Sequence, residues 1–580
     1  MEIIKTPLNV KRTERVDDIP LLLAQMEKMK VTPLLDNHFP THGNWQGLSL
    51  GQVAVVWLAY ILSEGDHRLN SVQGWAAGLL MTLTVCLGAL GLRELDFSDD
   101  RLCIVLDCLG RDDAAWEAYE REQNATLLRV YDLKARRVRI DSTTAKSYVA
   151  VTEDGLFQFG HSKEHRPDLP QVKINQAVLD PLGLPLSTTV VSGERADDPL
   201  YVPEIRKVQA SLGPHGVLYV GDCKMASLDT RAYIAASHDY YLCPLSAVQM
   251  PAAALQALLV PVWTGAQPLT PVHRAPESAA DQLEPIANGF SYGVTLKAGG
   301  VEWQEQRLVV QSLKHADAQQ KALDQRLKKA EQEIAALNQR GRGRKRLDEG
   351  ETRAAVDSIL KRHDVAGLLA VEYHVETQTI RKRAYFGRPA RDGTTVVVAV
   401  RAVPDASAYE ETVRGLGWRV FACNDPELGL GEAVLAYREE YLVERGFNRF
   451  RGKILGLTPL YLSSTTRIKG LIRLLCIGLR VLCLVEFTVR EALREHAEKL
   501  DGIYAGNPKR ATARPTTEMM LRAFVGISMV VVSLGATNWH SVTPLNAVQL
   551  RILGLLGFPA AIYQGLGVQS GEVAFKMSEP

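Results

Sequence analysis

Three acidic residues stand in settings where a carboxylate could do chemistry. Asp141 closes the run Arg137, Val138, Arg139, Ile140, whose polar–apolar alternation is that of a half-buried strand; three small hydroxyl residues, Ser142, Thr143 and Thr144, follow it. Asp222 closes a second apolar run, "GVLYVGD", just behind Gly221, a residue type that permits close approach by a ligand. Tyr437, Glu440 or Tyr441, Glu444, Asn448 and Arg451 recur at spacings of three and four and so share one face of an expected helix. Carboxylates converging from separate elements are the hard oxygen donors that magnesium takes, usually with waters and substrate phosphate. Two such ions roughly 3.5–4 Å apart can activate an attacking oxygen and stabilise a leaving one in phosphoryl transfer. Arg451 and Lys453 could then hold backbone phosphates. Each feature also has a plain structural alternative. An Asp at a strand end commonly caps a helix or closes a turn, and a helix face of Tyr, Glu and Arg can be a surface ion-pair stripe.

The elements that must position these residues change texture along the chain. Residues 1–130 read as helical: "IPLLLAQMEKM" and "SLGQVAVVWLAYIL" carry 3.6-period apolar faces, and "DDRLCIVLDCLG" reads as a capped helix ending on Gly110. Residues 131–250 turn to strands, with "QVKINQAVLD" and "PLSTTVVSG" joined as a hairpin through "DPLG", then "GVLYVGD", a helix over 226–238 and "YYLCPLS". Residues 251–415 read as an insertion of strands and one helical hairpin over 312–363. In it Leu323, Leu327, Ala330, Ile334 and Leu337 form a heptad seam, and the tip "RGRGRKR" at 340–346 is either a solvated turn or a nucleic-acid contact. Residues 416–465 return to a strand, "WRVFACND", and one strongly helical stretch, and 466–580 is expected to be helical. This is an α/β chain with a mixed sheet, an insertion and helical flanks.

Bulk properties set few limits. At 580 residues several domains are expected, and 46% hydrophobic with 23% charged residues is ordinary for a soluble chain. A net charge of +1 neither favours nor excludes a nucleic-acid partner. Eight cysteines without a C-x-x-C pair point to reduced thiols in a cytoplasmic protein. No signal core opens the chain, and the apolar stretches 75–92, 467–490 and the one after Arg522 read as buried core helices, so no membrane is expected.

Taken together, "IDSTT" with Asp141, "YVGDCKMAS" with Asp222 and "YREEYLVERGFNRFRG" with Glu444 resemble the DDE triad of bacterial insertion-sequence transposases, in the group whose third motif is Tyr-x2-Arg-x3-Glu-x6-Lys. "GHSKEHRPDLPQ" (160–171), "GERADDP" (193–199) and "CND" (423–425) are similar to that group as well. The chain departs from the pattern at two places: Glu440 stands where the signature arginine would be, and Arg451 where its lysine would be. The resemblance implies a ribonuclease H-like core, and Asp141, Asp222 and Glu444 as catalytic ligands of Mg2+, with Mn2+ a substitute. Tyr437, Arg451 and Lys453 would then contact double-stranded DNA, Lys163, His165 and Arg166 either face DNA phosphates near the site or form a solvated turn, and a homodimer is implied on paired element ends. Glu440 is a rival third carboxylate one turn earlier, and Trp263 or Trp303 would be a base-stacking aromatic unless each is simply core. The same carboxylates would serve a nuclease without strand transfer, and a catalytically silent DNA-binding relative would keep the fold alone.

Overall fold

The computed structural model describes residues 9–213, 216–274, 283–339, 347–384, 389–439, 441–507, 509–534 and 537–567. The chain is mixed α/β and divides into two compact units. One comprises Met1–Leu242, Lys297–Glu302 and Arg438–Pro580, and the other Cys243–Leu296 and Trp303–Tyr437.

Five strands of a mixed sheet organise the first unit. In chain order they are Arg137–Lys146, Gln171–Leu179, Leu184–Ser192, Leu218–Val220 and Tyr240–Pro244, and in space they lie third, second, first, fourth, fifth. The first three form an antiparallel meander, whose second and third strands are the expected hairpin, and the last two run parallel to the first. The strand Gln171–Leu179 is buried along its whole length because both faces are covered. On one face Glu204, from the helix Tyr201–Leu212, accepts hydrogen bonds from Asn175, Ser187 and Thr189. On the other, Val178 packs with Val443 and Phe447 of the helix Tyr441–Arg451, while Gln176 and Thr188 meet Cys476 of the helix Thr465–Glu495. The period-2 alternation of the strands assigns each residue to one helix layer or the other.

The 31-residue helix Thr465–Glu495 is the buried core helix expected from its apolar run. Its interrupting charges are all partnered. Arg473 donates to Leu109 O at 2.7 Å, Arg480 meets Glu120 at 3.2 Å and Pro185 O at 2.9 Å, and Glu486 takes Arg445, Arg449 and Arg490. It crosses the helix Asp99–Arg111 at two glycines: a Cβ on Gly110 would lie 1.8 Å from Thr466 O, and one on Gly470 2.1 Å from Leu106 O. The stretch 75–92 folds into parts of two short helices, Leu69–Ala77 and Leu80–Leu87, and no single helix among the described residues is long and apolar enough to cross a membrane.

Two helical expectations fail at the chain ends. Asn9–Arg15 is a strand, and the apolar run after Arg522 forms the strands Ser528–Leu534 and Thr537–Val542; all three make one antiparallel sheet. The β-branched run Val530, Val531, Val532 suits a pleated surface better than a helix, and its partner lies at the opposite end of the sequence.

In the second unit, strands lie in the order Trp418–Cys423, Val301–Ser312, Glu284–Ala298, Thr270–Arg274. The helices Leu313–Ala336 and Glu349–His363 form the expected hairpin. Its seam residues Leu323, Leu327, Ala330 and Ile334 pack on Val356 and Ile359, and also on Leu369 and Val400 of a long β-hairpin, Leu369–Lys382 with Arg391–Pro404. The basic tip 340–346 lies outside the described residues. Trp303 is buried and Trp263 packs with Leu259 and Trp418, so both tryptophans are core.

Candidate functional site

Asp141 does not end its strand. The strand runs on to Lys146, because Thr143, Thr144 and Ala145 continue the pairing with Gln171–Leu179. Asp141 faces Gln176 across the ladder, and directly opposite residues point to the same side, so its carboxyl belongs to the face on which the helix Tyr441–Arg451 packs. Arg139 pairs with Val220, the last residue of the neighbouring parallel strand, so Asp222 lies two residues past that strand's end, while the strand of Asp141 runs on.

The two carboxylates share a polar cluster. The Lys163 ammonium donates to Asp141 Oδ1 at 3.0 Å and also to Ser142 O, and the Ser142 amide donates to the same Oδ1 at 2.7 Å. The Tyr201 hydroxyl donates to Asp222 Oδ1 at 2.7 Å, as does the Lys224 amide at 2.8 Å. Burial pushes the Asp141 carboxyl above its ordinary value; Lys163 and the Ser142 amide pull it down, and the Asp222 charge pushes it up. Burial, then the charges of Asp222 and Asp141, hold the Tyr201 hydroxyl well above its ordinary range, so it stays protonated and donating. Gly221 serves this packing rather than a ligand: a Cβ there would meet Met225 Sδ at 2.8 Å and Tyr201 Cε1 at 3.1 Å.

Three members of the cluster escaped sequence reasoning. Tyr201 is one. Asp197 accepts from Ser142 Oγ and Lys173 Nζ, both at 2.8 Å. Burial works to raise Asp197, but the bonds from Lys173 and Ser142 outweigh it and leave the carboxyl below its ordinary value. A signal existed for Lys173: a lysine between Val172 and Ile174 in a strand is seldom buried without a partner. Tyr201 and Asp197 carry no comparable signal, although Asp197 lies within "GERADDP".

The remaining candidates are placed as follows. Glu444 is exposed on Tyr441–Arg451, beside the Val443 and Phe447 that face the sheet. Arg451, at the end of that helix, lies 3.9 Å from Glu164, which Lys146 also meets at 3.2 Å. That brings Arg451 next to the loop carrying Lys163. His165 is exposed with φ +56°, Arg166 forms a two-bond ion pair with Asp168 at 2.7–2.8 Å, and Lys453 is exposed. Tyr437 is in the second unit, edge-on to Phe421 at 4.8 Å, on a separate helix, Leu430–Arg438. The single helical face expected to carry Tyr437 and Glu444 is therefore broken. Glu439, at the break, is held by Arg137 at 2.9 Å and Arg139 at 3.5 Å, and Arg139 is itself locked to Asp180 at 2.7 Å. Glu440 lies outside the described residues.

Asp141 and Asp222 fit a hard cation in part. They supply oxygen donors, and Lys163 already holds a positive charge against Asp141 Oδ1 and Ser142 O. Among the described residues, however, no three His, Cys, Asp or Glu side chains are grouped to hold a metal, so Glu444 does not join the pair in this conformation.

No family model matches the chain, and no curated protein matches it. Among solved structures it is similar to the piggyBac transposase in a synaptic complex with hairpin DNA, at 8% identity and a TM-score of 0.32, over 83% of this chain and 76% of that one. Likeness at that level carries no argument about fold or function.

Proposed function

We propose that this chain is a DNA transposase of the DDE type, acting in the cytoplasm as a homodimer on paired element ends. The observation that carries the reading is the gathering of two carboxylates in one polar cluster, Asp141 within its strand and Asp222 just past the end of the adjacent parallel strand, with the Glu444 helix packed on the face of Asp141. The mixed sheet, a meander followed by two parallel strands, supports a ribonuclease H-like core. Asp141 and Asp222, joined by Glu444 when that helix closes on DNA, would hold Mg2+ or Mn2+, which supplies water activation and charge neutralisation at the phosphate.

The chain's own residues do the rest. Tyr201 orients the Asp222 carboxyl, and Asp197 fixes Ser142 beside Asp141. Lys163 occupies the cation position until it is displaced, and then becomes available, with Arg451 and Lys453, to backbone phosphates. A water oxygen attacks the phosphodiester and the P–O3′ bond breaks, freeing a 3′-hydroxyl. That oxygen then attacks a phosphorus of the target strand, whose own 3′-oxygen leaves.

The test is cleavage of labelled duplex carrying the element's ends with Mg2+, comparing wild type with Asp222→Asn. Cut and joined products from wild type alone support the proposal, and nicking without joining favours a nuclease. The Lys163–Asp141 ion pair favours one second reading, a relative that binds DNA without cutting it. DNA binding with no metal-dependent cleavage by wild type would select that one.

A further inference from the structure

At the end of the Asp141 strand the backbone is clamped to residue 460. Leu460 N donates to Lys146 O at 3.1 Å, and the Ser147 hydroxyl donates to Leu460 O at 2.7 Å. Ser147 and Leu460 are fully buried, yet the next residue in each segment is an exposed tyrosine: Tyr148 at 58% and Tyr461 at 74%. Their rings lie 6.3 Å apart and 21° from parallel. The Arg166 guanidinium reaches the Tyr148 hydroxyl, and Lys146 lies on the same strand end. A buried anchor followed at once by an outward ring, twice over and side by side, fixes both rings in place while leaving their outer faces to solvent. Large aromatic side chains held rigid and open beside cations suit the flat face of a base and the phosphate next to it.

We propose that Tyr148 and Tyr461 form a stacking platform for an unstacked base of the DNA strand held at Asp141. The inference rests on the reading of that site as one that takes DNA. Tyr148 is seven residues on from Asp141, at most about 23 Å along an extended chain. At about 3.4 Å per nucleotide this places the contacted base at most about seven nucleotides from the phosphate at Asp141.

The test is binding of a fluorescent single-stranded oligonucleotide at fixed salt, followed by duplexes with 2-aminopurine placed singly along the strand. Tyr148→Ala and Tyr461→Ala should each weaken binding roughly 5- to 150-fold, the range of one base–aromatic stack, whereas Tyr→Phe at either site should retain it. Quenching of 2-aminopurine should peak at one position and vanish in the alanine variants. Both effects should persist in an Asp222→Asn background, because stacking needs no cleavage. Alanine variants that bind within twofold of wild type overturn the proposal, as does a Phe variant as weak as Ala. Loss of self-association without loss of DNA binding also overturns it, making the pair an interface between copies. A wild type that stacks but never cleaves leaves the platform standing and removes the transposase reading; a wild type that cleaves while its alanine variants bind within twofold does the reverse.

Discussion

Lys163 sits against Asp141, where the proposed site would take a cation, so removing it should make a cation bind better. The ammonium is 3.0 Å from Asp141 Oδ1, with the two side chains 31% and 24% exposed. At an effective dielectric of about 20 the Coulomb attraction across 3.0 Å is roughly 5–6 kcal/mol, most of it offset by desolvation and by fixing a long side chain. A net value of about 1–2 kcal/mol remains for a partly buried, hydrogen-bonded pair. A metal ion entering wild-type protein must overcome that amount; in Lys163→Met, which keeps the stem and loses the charge, it need not. DNA-free Lys163→Met should therefore bind Mn2+ about 5- to 30-fold more tightly than wild type, read as loss of the free-ion signal in paramagnetic resonance or by calorimetry. The gain should depend on pH with a definite sign. Burial already lifts the Asp141 carboxyl and Lys163 opposes that lift, so the variant's carboxyl moves further up and a proton competes with the metal sooner as pH falls. The advantage should be largest in mildly alkaline buffer and shrink toward pH 5. Equal or weaker Mn2+ binding by Lys163→Met at alkaline pH would refute the reasoning. So would an Asp222→Asn variant that binds Mn2+ as wild type does, since the ion would then sit elsewhere.

Other positions test the support around the site. Tyr201→Phe removes a hydrogen bond to Asp222 while keeping the ring, so cleavage should slow about 10- to 100-fold with DNA affinity unchanged; an unaltered single-turnover rate would dismiss the orienting role. Gly470→Ala drives a methyl into the Leu106 carbonyl and should destabilise the first unit by about 1–3 kcal/mol in urea unfolding, toward the upper end because the neighbour is backbone. Burial holds Glu120 up at about 8 against an ordinary 4.5, despite Arg480. A raised carboxyl keeps its proton in the folded state after the unfolded chain has lost it, so this group makes stability fall as pH rises from about 4.5 to about 8. Arg480→Met lifts Glu120 further, so it should cost clearly more above pH 8, where the carboxyl must either keep its proton or ionise without its partner, than at pH 5, where it is neutral with or without Arg480; equal costs at both pH values would contradict this.

Local pattern made some of the fold legible and long-range pairing hid the rest. The hairpin around "DPLG" and the heptad seam of Leu323, Leu327, Ala330 and Ile334 were visible because their partners are close in sequence and their periods differ. The sheet joining Asn9–Arg15 to Ser528–Leu534 was not, since neither segment alternates clearly and each finds its partner across almost the whole chain. Asp141 was found by its small neighbours but misplaced at a strand end, because Ser142, Thr143 and Thr144 look like a turn until the pairing with Lys173–Asn175 shows them buried. Tyr201 and Asp197 could be found only in three dimensions.

The carboxylates differ in how firmly the fold positions them, and that difference bears on mechanism. Asp141 sits within a strand whose register is fixed by backbone pairing, and Asp222 directly follows the neighbouring strand and is held by the Tyr201 hydroxyl and the Lys224 amide. Glu444 rides on a helix whose rotation is set by Val443 and Phe447 pressing on Val178, which leaves its own side chain about 100° around the axis from Val443. The helix is tethered by Arg137 and Arg139 to Glu439 just before it, and by Arg445 and Arg449 to Glu486 along it. These ties restrict where it can move without fixing the Glu444 carboxyl. A third ligand held this way can be recruited by substrate rather than preformed, which would keep the site from cutting until DNA bridges the helix and the sheet. On the proposed reading the Lys163–Asp141 contact would act in the same sense from the other side: displacing the lysine and seating the glutamate would both require a ligand that brings its own charge. A site assembled by its substrate in this way would show three-acid geometry only when DNA is bound.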